Sequence, residues 1–168
     1  MKVLHRRQML ASLSAAAVGA AIPTGSILSR PPPASRKTSL QAQQLAEGLL
    51  LIQGAGCNVL AVRDGDGLVF IDGGLKANGK ALLALAQKET STRAVHALVN
   101  THWHPEQTGL NEPLGKQGTK IIAHANTRLW LSTTVRYTPD GPPIGPLPAS
   151  GLPTQTTYGT GELKAGDE

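Results

Sequence analysis

The segment LVNTHWHPEQTG, residues 98–109, joins an apolar run to a loop that is crowded with metal-competent side chains. The apolar run, Ala94 to Val99, has the length and composition of a buried strand. In the loop, His102 and His104 lie one residue apart, and Glu106 follows two residues later. Imidazole nitrogens and carboxylate oxygens are donors for zinc-type cations, and a loop at a strand end is the usual place for functional side chains.

A metal-free interpretation of the same loop stays open at this point. Five histidines in 168 residues can bring two close together by chance, and a histidine pair in a loop is often only solvated. His96 lies inside the predicted strand and His124 closes a later one, and both are expected to be packed or hydrogen-bonded. The residues alone therefore leave a metal site and a solvated loop equally open.

Around this loop the sequence alternates predicted strands and helices, and the folded part begins at Leu40. The residues Asp64-Gly65-Asp66-Gly67 lie between two apolar runs and predict a hairpin, because glycine accepts a positive φ at low cost. Leucines recur at helical spacing after residue 77 and predict a helix. The predicted strands are residues 49–52, 58–63, 68–71, 94–100 and 119–123, and the predicted helices are residues 77–88, 110–114 and 126–132.

Composition and charge exclude some classes of function. The formal net charge is +5, but Lys2, Arg6 and Arg7 belong to an N-terminal leader, which leaves about +2 for the rest of the chain. No basic stripe with interleaved aromatics is present, so no nucleic-acid partner is predicted. Cys57 is the only cysteine, which rules out an internal disulfide, and we expect it to be a small buried residue beside a strand.

The N-terminal leader, residues 1–21, resembles a twin-arginine signal, with Arg6-Arg7 ahead of a short apolar run. The run is too short for a permanent transmembrane helix, and its small residues offer cleavage sites. We therefore expect export to the periplasm with no stable membrane anchor after cleavage; a Sec signal and an uncleaved anchor are the alternatives. A Pro-rich linker is predicted for residues 22–39, and an irregular Pro/Gly-rich tail for residues 137–168.

Three stretches together resemble the metallo-β-lactamase-fold hydrolases. VNTHWHPEQTG is similar to the His-x-His-x-Asp-His-x-Gly signature of that family, which also follows an apolar strand. GDGLVFIDGG resembles the family's strand that ends in Asp-Gly-Gly or Asp-Thr-Gly, here at Asp72. GTKIIAHANT resembles the strand and helix start that follow the metal loop. The resemblance extends from about Leu45 to Leu131, in the family's order and spacing.

The resemblance implies an α/β fold, a mixed sheet with helices on one face, which is half of a four-layer αββα sandwich. In the family a second half covers the other face of the sheet. Residues 40–136 match the first half only, and an uncovered aliphatic face is costly in water. We therefore expect the chain to be the N-terminal portion of a longer protein, or to pair with a partner chain that supplies the missing C-terminal half.

The resemblance also implies roles for the loop residues. His102 and His104 match ligands of the first metal, Glu106 stands where the family has a metal-binding aspartate, and Gln107 replaces its third histidine. Asp72 matches a carboxylate that braces the metal loop through hydrogen bonds. Zinc is the implied metal, with one position expected and the second incomplete, because an amide oxygen is a poor substitute for imidazole at zinc. Iron and manganese are alternatives where oxygen donors replace imidazole.

The implied activity is hydrolysis of an ester, lactam or related acyl bond in a small-molecule substrate by metal-activated water. Glu106 would bind the metal or accept a proton from that water, and Asp72 would support the loop. The isolated chain is expected to turn over little, because a catalytic zinc takes three protein ligands. A catalytically inactive metal- or partner-binding relative and a gene fragment are the alternatives.

Overall fold

One mixed sheet of seven strands organises the part of the chain that the structure, a computed structural model, describes: residues 39–136 and 138–162. The predicted leader and the predicted linker up to residue 38 lie outside the described residues. The strands are β1 (Gln41–Ala46), β2 (Leu49–Gln53), β3 (Val59–Asp64), β4 (Gly67–Ile71), β5 (Ala94–Asn100), β6 (Lys120–His124) and β7 (Gln155–Thr157). They lie side by side in the order of the sequence.

The sheet changes from antiparallel to parallel at β4. The strands β1 to β4 pair antiparallel, and the pairs β4–β5, β5–β6 and β6–β7 are parallel. Parallel neighbours need a crossover, and helices supply the first two: α1 (Gly79–Thr90) between β4 and β5, and α2 (Asn111–Gly115) between β5 and β6. The helix α3 (Ala125–Leu131) follows β6 directly. The carboxyl ends of β4, β5 and β6 therefore meet at one edge of the sheet.

Alternate residues of the strands pack on opposite faces of the sheet, as the strand repeat of two requires. The larger apolar cluster includes Leu68, Phe70 and Leu98 from the strands, and Leu82 of α1 and Leu114 of α2 pack against them. The other face carries a smaller cluster of short aliphatic residues: Val69, Ala97 and Ile122, with Val62 and Val99 beside them. The helices α1 and α2 thus contribute their apolar residues to the same cluster.

The apolar segments follow the sequence prediction closely. The strand predicted at residues 94–100 is β5, the predicted hairpin joins β3 to β4, and the helix predicted from residue 77 begins at Gly79 after a 3-10 turn, Lys76–Asn78. That helix ends where Ser91 adopts φ 56°, with its N–H directed to the carbonyl of Lys88. Local periodicity and turn residues are sufficient to place these elements.

Two strands were not predicted, and neither contains a buried residue. All six residues of β1 are exposed, and its sequence, QAQQLA, shows no regular alternation of apolar and polar residues. The strand β7, with the sequence QTT, lies inside the tail that was predicted to be irregular, and it pairs with β6. The prediction was wrong for these three residues, because pairing with a distant strand, and not local composition, makes them extended. No helix of residues 39–136 and 138–162 has both the length and the apolar character needed to cross a bilayer.

Candidate functional site

The candidate site lies at the sheet edge where β4 and β5 end. Asp72 directly follows β4 and Thr101 directly follows β5, and the Asp72 N–H donates to the carbonyl of Val99 at 2.8 Å. Because the two strands are parallel neighbours, their carboxyl ends bring these residues together. Such an edge is the usual location of binding sites in open α/β sheets.

The carboxylate of Asp72 accepts hydrogen bonds from Thr101, the first residue of the loop. The Thr101 N–H donates to Asp72 Oδ1 at 2.9 Å, and the Thr101 hydroxyl lies 3.0 Å from Oδ1 and 2.8 Å from Oδ2. Asp72 has φ 65°, a left-handed conformation that Asp tolerates better than most residues. Burial raises the pKa of Asp72, and the hydrogen bonds from Thr101 oppose that rise. Asp72 therefore joins the end of β4 to the first residue of the loop by hydrogen bonds.

The same threonine determines which nitrogen of His102 is available. Thr101 Oγ1 also lies 3.0 Å from His102 Nδ1. Because its single hydroxyl proton is directed to Asp72, Oγ1 acts as the acceptor towards His102, and Nδ1 carries the proton. The lone pair of the imidazole is then on Nε2. An orienting hydrogen bond on the other ring nitrogen is typical of histidines that bind metals.

The loop brings the two histidine rings together. The ring centroids of His102 and His104 are 4.5 Å apart, with an angle of 72° between the ring planes. His104 Nδ1 lies 3.5 Å from Glu106 Oε1, and the ring of Trp103 meets the His104 ring edge-on at 4.7 Å. Three of the predicted site residues thus lie within one short loop segment.

Gln107 holds an unsatisfied buried oxygen. Its backbone carbonyl accepts hydrogen bonds from the Gly73 N–H at 2.6 Å and from Asn100 Nδ2 at 3.3 Å. The side chain is buried, and Oε1 has no hydrogen-bond partner among the described residues. An unpaired buried amide oxygen is costly, and a water or a cation at that oxygen would remove the cost.

Two buried asparagine side chains, of Asn100 and Asn111, are hydrogen-bonded to each other beside the loop. No pattern in the sequence predicts this pair. Asn100 Nδ2 donates to Asn111 Oδ1 at 3.0 Å, and Asn111 Nδ2 donates to Asn100 Oδ1 at 2.8 Å. Asn111 also donates to the carbonyl of Gly151 at 3.0 Å. Both asparagines are buried. Asparagine beside a turn normally predicts an exposed residue, which is why sequence reasoning passed over Asn111.

The donors fit a metal in part. Two neighbouring imidazoles, the carboxylate of Glu106 and the unsatisfied amide oxygen of Gln107 are donors of the types that bind such metals. Yet within residues 39–136 and 138–162 no group of three or more His, Cys, Asp or Glu side chains is arranged to hold a metal ion. Since a catalytic zinc takes three protein ligands and a water, these residues supply only part of a complete set.

The two remaining described histidines, His96 and His124, have hydrogen-bond or ion-pair partners outside the loop after β5. His124 caps α3, where its Nδ1 accepts a hydrogen bond from the Asn126 N–H at 3.1 Å. His96 contacts Asp64 and Asp66 of the β3–β4 turn. Both are satisfied by local partners.

Comparison with known proteins identifies the class. A sequence model of the metallo-β-lactamase superfamily matches residues 52–160, which is more than half of the chain. The chain therefore belongs to the metallo-β-lactamase superfamily, and its α/β sheet with helices is consistent with half of that fold. No curated protein sequence matches the chain.

Several solved structures have a fold similar to that of this chain. A protein described as the first B3 metallo-β-lactamase with an active-site glutamic acid is 21% identical, with TM-score 0.61 over 78% of this chain and 50% of that one. A metallo-β-lactamase from Pontibacter korlensis is 20% identical, with TM-score 0.54 over 75% and 56%. A HARLDQ-motif mutant of a Cronobacter sakazakii metallo-β-lactamase is 16% identical, with TM-score 0.55 over 70% and 47%. The chain spans about half the length of the structures it matches.

Proposed function

We propose that this chain is the metal-binding, N-terminal part of an exported zinc-dependent hydrolase that cleaves an ester, lactam or related acyl bond in a small-molecule substrate. The observation that carries the proposal is the proximity of the His102 and His104 rings, with centroids 4.5 Å apart, in the loop that follows β5. Membership of the superfamily supports metal-dependent hydrolysis. A bound zinc would supply Lewis acidity, which makes water nucleophilic near neutral pH.

Four side chains of this loop would act at the metal, as ligands or as a proton acceptor. His102, with its Nδ1 proton directed to Thr101, offers Nε2 as a ligand, and His104 offers the second imidazole. The unsatisfied Oε1 of Gln107 is a neutral oxygen donor. Glu106 binds the metal or accepts the proton of the attacking water. Asp72 holds the loop in place through Thr101.

One structural neighbour, which is 21% identical, is described as a B3 metallo-β-lactamase with an active-site glutamic acid. That description supports the proposal that a glutamate in the active site, here Glu106, is compatible with a working metal site.

We propose that the ligand set is completed from outside the described residues, by a C-terminal half or a partner chain. The matches support this, because this chain aligns with only 50% of one matched structure and 56% of another. Residues 1–21 would direct export to the periplasm by the twin-arginine route. Iron or manganese is the alternative to zinc, because two of the four candidate donors are oxygens.

A second candidate function is a metal- or partner-binding protein without catalysis. It is favoured by one observation: Glu106 and Gln107 stand where the family signature has an aspartate and a histidine. The two proposals differ in turnover. Hydrolysis of a chromogenic ester or lactam by the zinc-loaded protein favours the enzyme, and stable zinc binding without hydrolysis favours the binding protein.

Zinc binding tests the ligand assignment directly. The purified chain is titrated with zinc in competition with a chromophoric chelator. We expect His102→Ala and His104→Ala each to weaken binding by roughly ten- to a hundred-fold, the size of effect expected when a group that fixes a metal site is removed. His96→Ala is the matched control and should bind zinc like the unchanged chain, because His96 contacts only the β3–β4 turn. Equal affinity in all four proteins would remove the assignment.

The loop also allows a gain of binding to be tested. Combining Gln107→His with Glu106→Asp restores the usual signature, and the pair should raise the ratio of zinc to protein. An unchanged ratio would show that the second metal position is lost for reasons other than these two side chains.

A further inference from the structure

A recess of about 270 Å³ lies at the end of the sheet opposite the candidate metal loop. The metal loop follows the carboxyl end of β5, whereas Arg63, which lines the recess, pairs with Leu68 near the amino end of β4. The lining comes from β1, β2, β3 and the end of α1, and it includes Gln44, Leu50, Arg63, Glu89, Thr90 and Ser91. The recess is therefore separate from the residues to which the proposed function assigns a role.

The recess forms where α1 ends and no longer covers the sheet. Side chains of β3 alternate between the two faces, so Arg63 lies on the same face as Val59 and Ala61, which belong to the apolar cluster shared with α1. At the level of Arg63 the helix has ended: Thr90 is its last residue, and Ser91 turns the chain with φ 56°. An exposed arginine thus occupies the face on which the two preceding positions bury apolar side chains.

Two opposite charges line the recess without neutralising each other. Arg63 belongs to β3, and Glu89 belongs to the last turn of α1. Throughout the part of the chain that the structure describes, the Arg63 guanidinium has no hydrogen bond and no ion pair, with Glu89 or with any other carboxylate. Glu89 Oε1 lies 3.7 Å from Lys88 Nζ, and 80% of the Lys88 side chain is exposed. The recess therefore has a positive side on β3 and a negative side on α1.

The end of α1 adds to the negative side. The last carbonyl groups of a helix lack partners within the helix and carry a partial negative charge, which attracts cations. The Thr90 hydroxyl donates its proton to the carbonyl of Ala86 at 2.7 Å, so towards any other group its oxygen acts as an acceptor. Together with the carboxylate of Glu89, these acceptors suit an ammonium group.

The β3 side suits a carboxylate. A guanidinium group is planar and donates two parallel hydrogen bonds to a carboxylate. A phosphate or another dianion would fit less well, because the negative charge of Glu89 also faces the recess and repels it. The charges thus favour a small molecule that carries one negative and one positive group.

The volume and the apolar residues of the recess restrict the rest of the occupant. About 270 Å³ is just below the range of roughly 300–1,000 Å³ that is usual for small-molecule sites, so the occupant is small. Ala42, Leu49 and Leu50 also line the recess, and they offer contact to an aliphatic chain. A single α-amino acid with an aliphatic side chain has this size and these three groups.

We propose that the recess between Arg63 and the C-terminal end of α1 binds a free aliphatic α-amino acid. Arg63 pairs with its carboxylate, Glu89 with its ammonium group, and Leu49 and Leu50 contact its side chain. The site goes beyond the proposed function, because it uses no residue of the loop after β5 and needs no metal. Since the occupant contacts β3 and α1 at once, its binding also stabilises the folded chain against unfolding.

L-leucine and two truncated analogues test the pairing of charges. The purified chain is titrated by calorimetry with L-leucine, with 4-methylpentanoate, which lacks the ammonium group, and with isopentylamine, which lacks the carboxylate. We expect saturable binding of L-leucine and binding at least about ten-fold weaker for each analogue, because each leaves one charge of the recess without a partner. L-leucine should also raise the thermal unfolding temperature of the chain.

Four variants locate the site, with folding checked by thermal unfolding without ligand. Arg63→Gln and Glu89→Gln should each weaken L-leucine binding by about ten-fold or more. Arg93→Gln and Glu47→Gln are the matched controls: they remove the same two kinds of charge at exposed positions that do not line the recess, and they should leave binding unchanged.

Three results would overturn the inference: no saturable binding of L-leucine, equal affinity for L-leucine and both analogues, or equal losses of binding in Arg63→Gln and Arg93→Gln. His102→Ala keeps this site and the proposed function separate. It should bind L-leucine like the unchanged chain even where its zinc binding is lost, and a parallel loss of L-leucine binding would count against a separate site.

Discussion

At the scale of a single residue, the imidazole of His96 lies between two carboxylates of the β3–β4 turn. Nδ1 is 2.9 Å from Asp64 Oδ2, and Nε2 is 3.1 Å from Asp66 Oδ1. A neutral imidazole has one N–H only, so both contacts are satisfied when the ring is protonated. The hydrogen bond to Asp64 is the main reason why the pKa of His96 is raised above its ordinary value of 6.5.

This arrangement predicts a pH-dependent contribution to stability. Because the pKa in the folded state is raised, the stabilisation is fully present below the unfolded value, near 6.5, and is lost as the pH rises through the folded value. We expect His96→Gln to lower the free energy of unfolding by about 0.5 kcal/mol near pH 5.5, the scale of an exposed ion pair, and by less near pH 9. Urea unfolding of both proteins at the two pH values measures the difference.

Asp66→Asn provides the matched control, because it removes one of the two carboxylates and keeps the turn. It should reduce the pH dependence without abolishing it, since Asp64 remains. A destabilisation by His96→Gln that is the same at both pH values would mean that the imidazole acts by packing and not by charge.

At the scale of elements, Gly109 shows why the signature of the loop ends in glycine. The chain runs so close to the segment before α1 that a Cβ at this position would lie 2.3 Å from the carbonyl oxygen of Gly74 and 2.4 Å from backbone atoms of Leu75 and Lys76. The Gly109 N–H donates to that same Gly74 carbonyl at 2.8 Å. The loop after β5 and the segment after β4 are thus joined backbone to backbone.

We therefore expect Gly109→Ala to be strongly destabilising. The atoms that a methyl group would meet belong to the backbone and cannot rotate away, so the two segments must separate; overpacking of this kind costs about 2–3 kcal/mol. Gly159→Ala is the control, because nothing lies within 4 Å of the position of its Cβ, and it should change stability by less than about 0.5 kcal/mol. Denaturant midpoints of the two variants provide the comparison, and similar midpoints would contradict the close approach.

At the scale of the whole molecule, hydrogen bonds of buried or partly buried groups join segments that are far apart in the sequence. Asn111 links the end of β5, through Asn100, to the carbonyl of Gly151, forty residues further along the chain. The Thr154 N–H donates to the carbonyl of Ile121 at 2.8 Å, where β7 joins the sheet. The last described segment is thus attached to the sheet beside the candidate site.

Asn111→Ala tests how much this attachment contributes. The change leaves the buried Asn100 amide and the Gly151 carbonyl without their partner, and stranding buried polar groups costs roughly 2–3 kcal/mol. Asn58→Ala is the control, because Asn58 is exposed and its hydrogen bond with Gln53 is 3.5 Å long. Urea unfolding should show a large loss for the first variant and almost none for the second. Equal losses would mean that the Asn100–Asn111 pair is not the link.

Much of this fold follows from local patterns. Apolar runs, an Asp-Gly turn and leucine spacing predicted β2 to β6 and α1 to within two or three residues, because strands and helices repeat at different periods. The resemblance to the family signature assigned His102 and His104 to one metal and gave Asp72 the role of bracing the loop, and these roles stay predictions. The structure shows the two rings 4.5 Å apart and Asp72 hydrogen-bonded to Thr101. Each of these depends on neighbours in the sequence or on adjacent strands.

The remaining features were decided only by the tertiary structure. The strand β7 is extended because it pairs with β6, which lies far earlier in the sequence. Trp103 and Trp130 stack on each other because α3 lies beside the loop, and the unsatisfied oxygen of Gln107 exists because the loop is buried there. No local pattern records these contacts, since each depends on residues that are far apart in the sequence. The sequence alone determined the strands β2 to β6 and the loop with its two histidines, whereas long-range packing decided the surroundings of that loop.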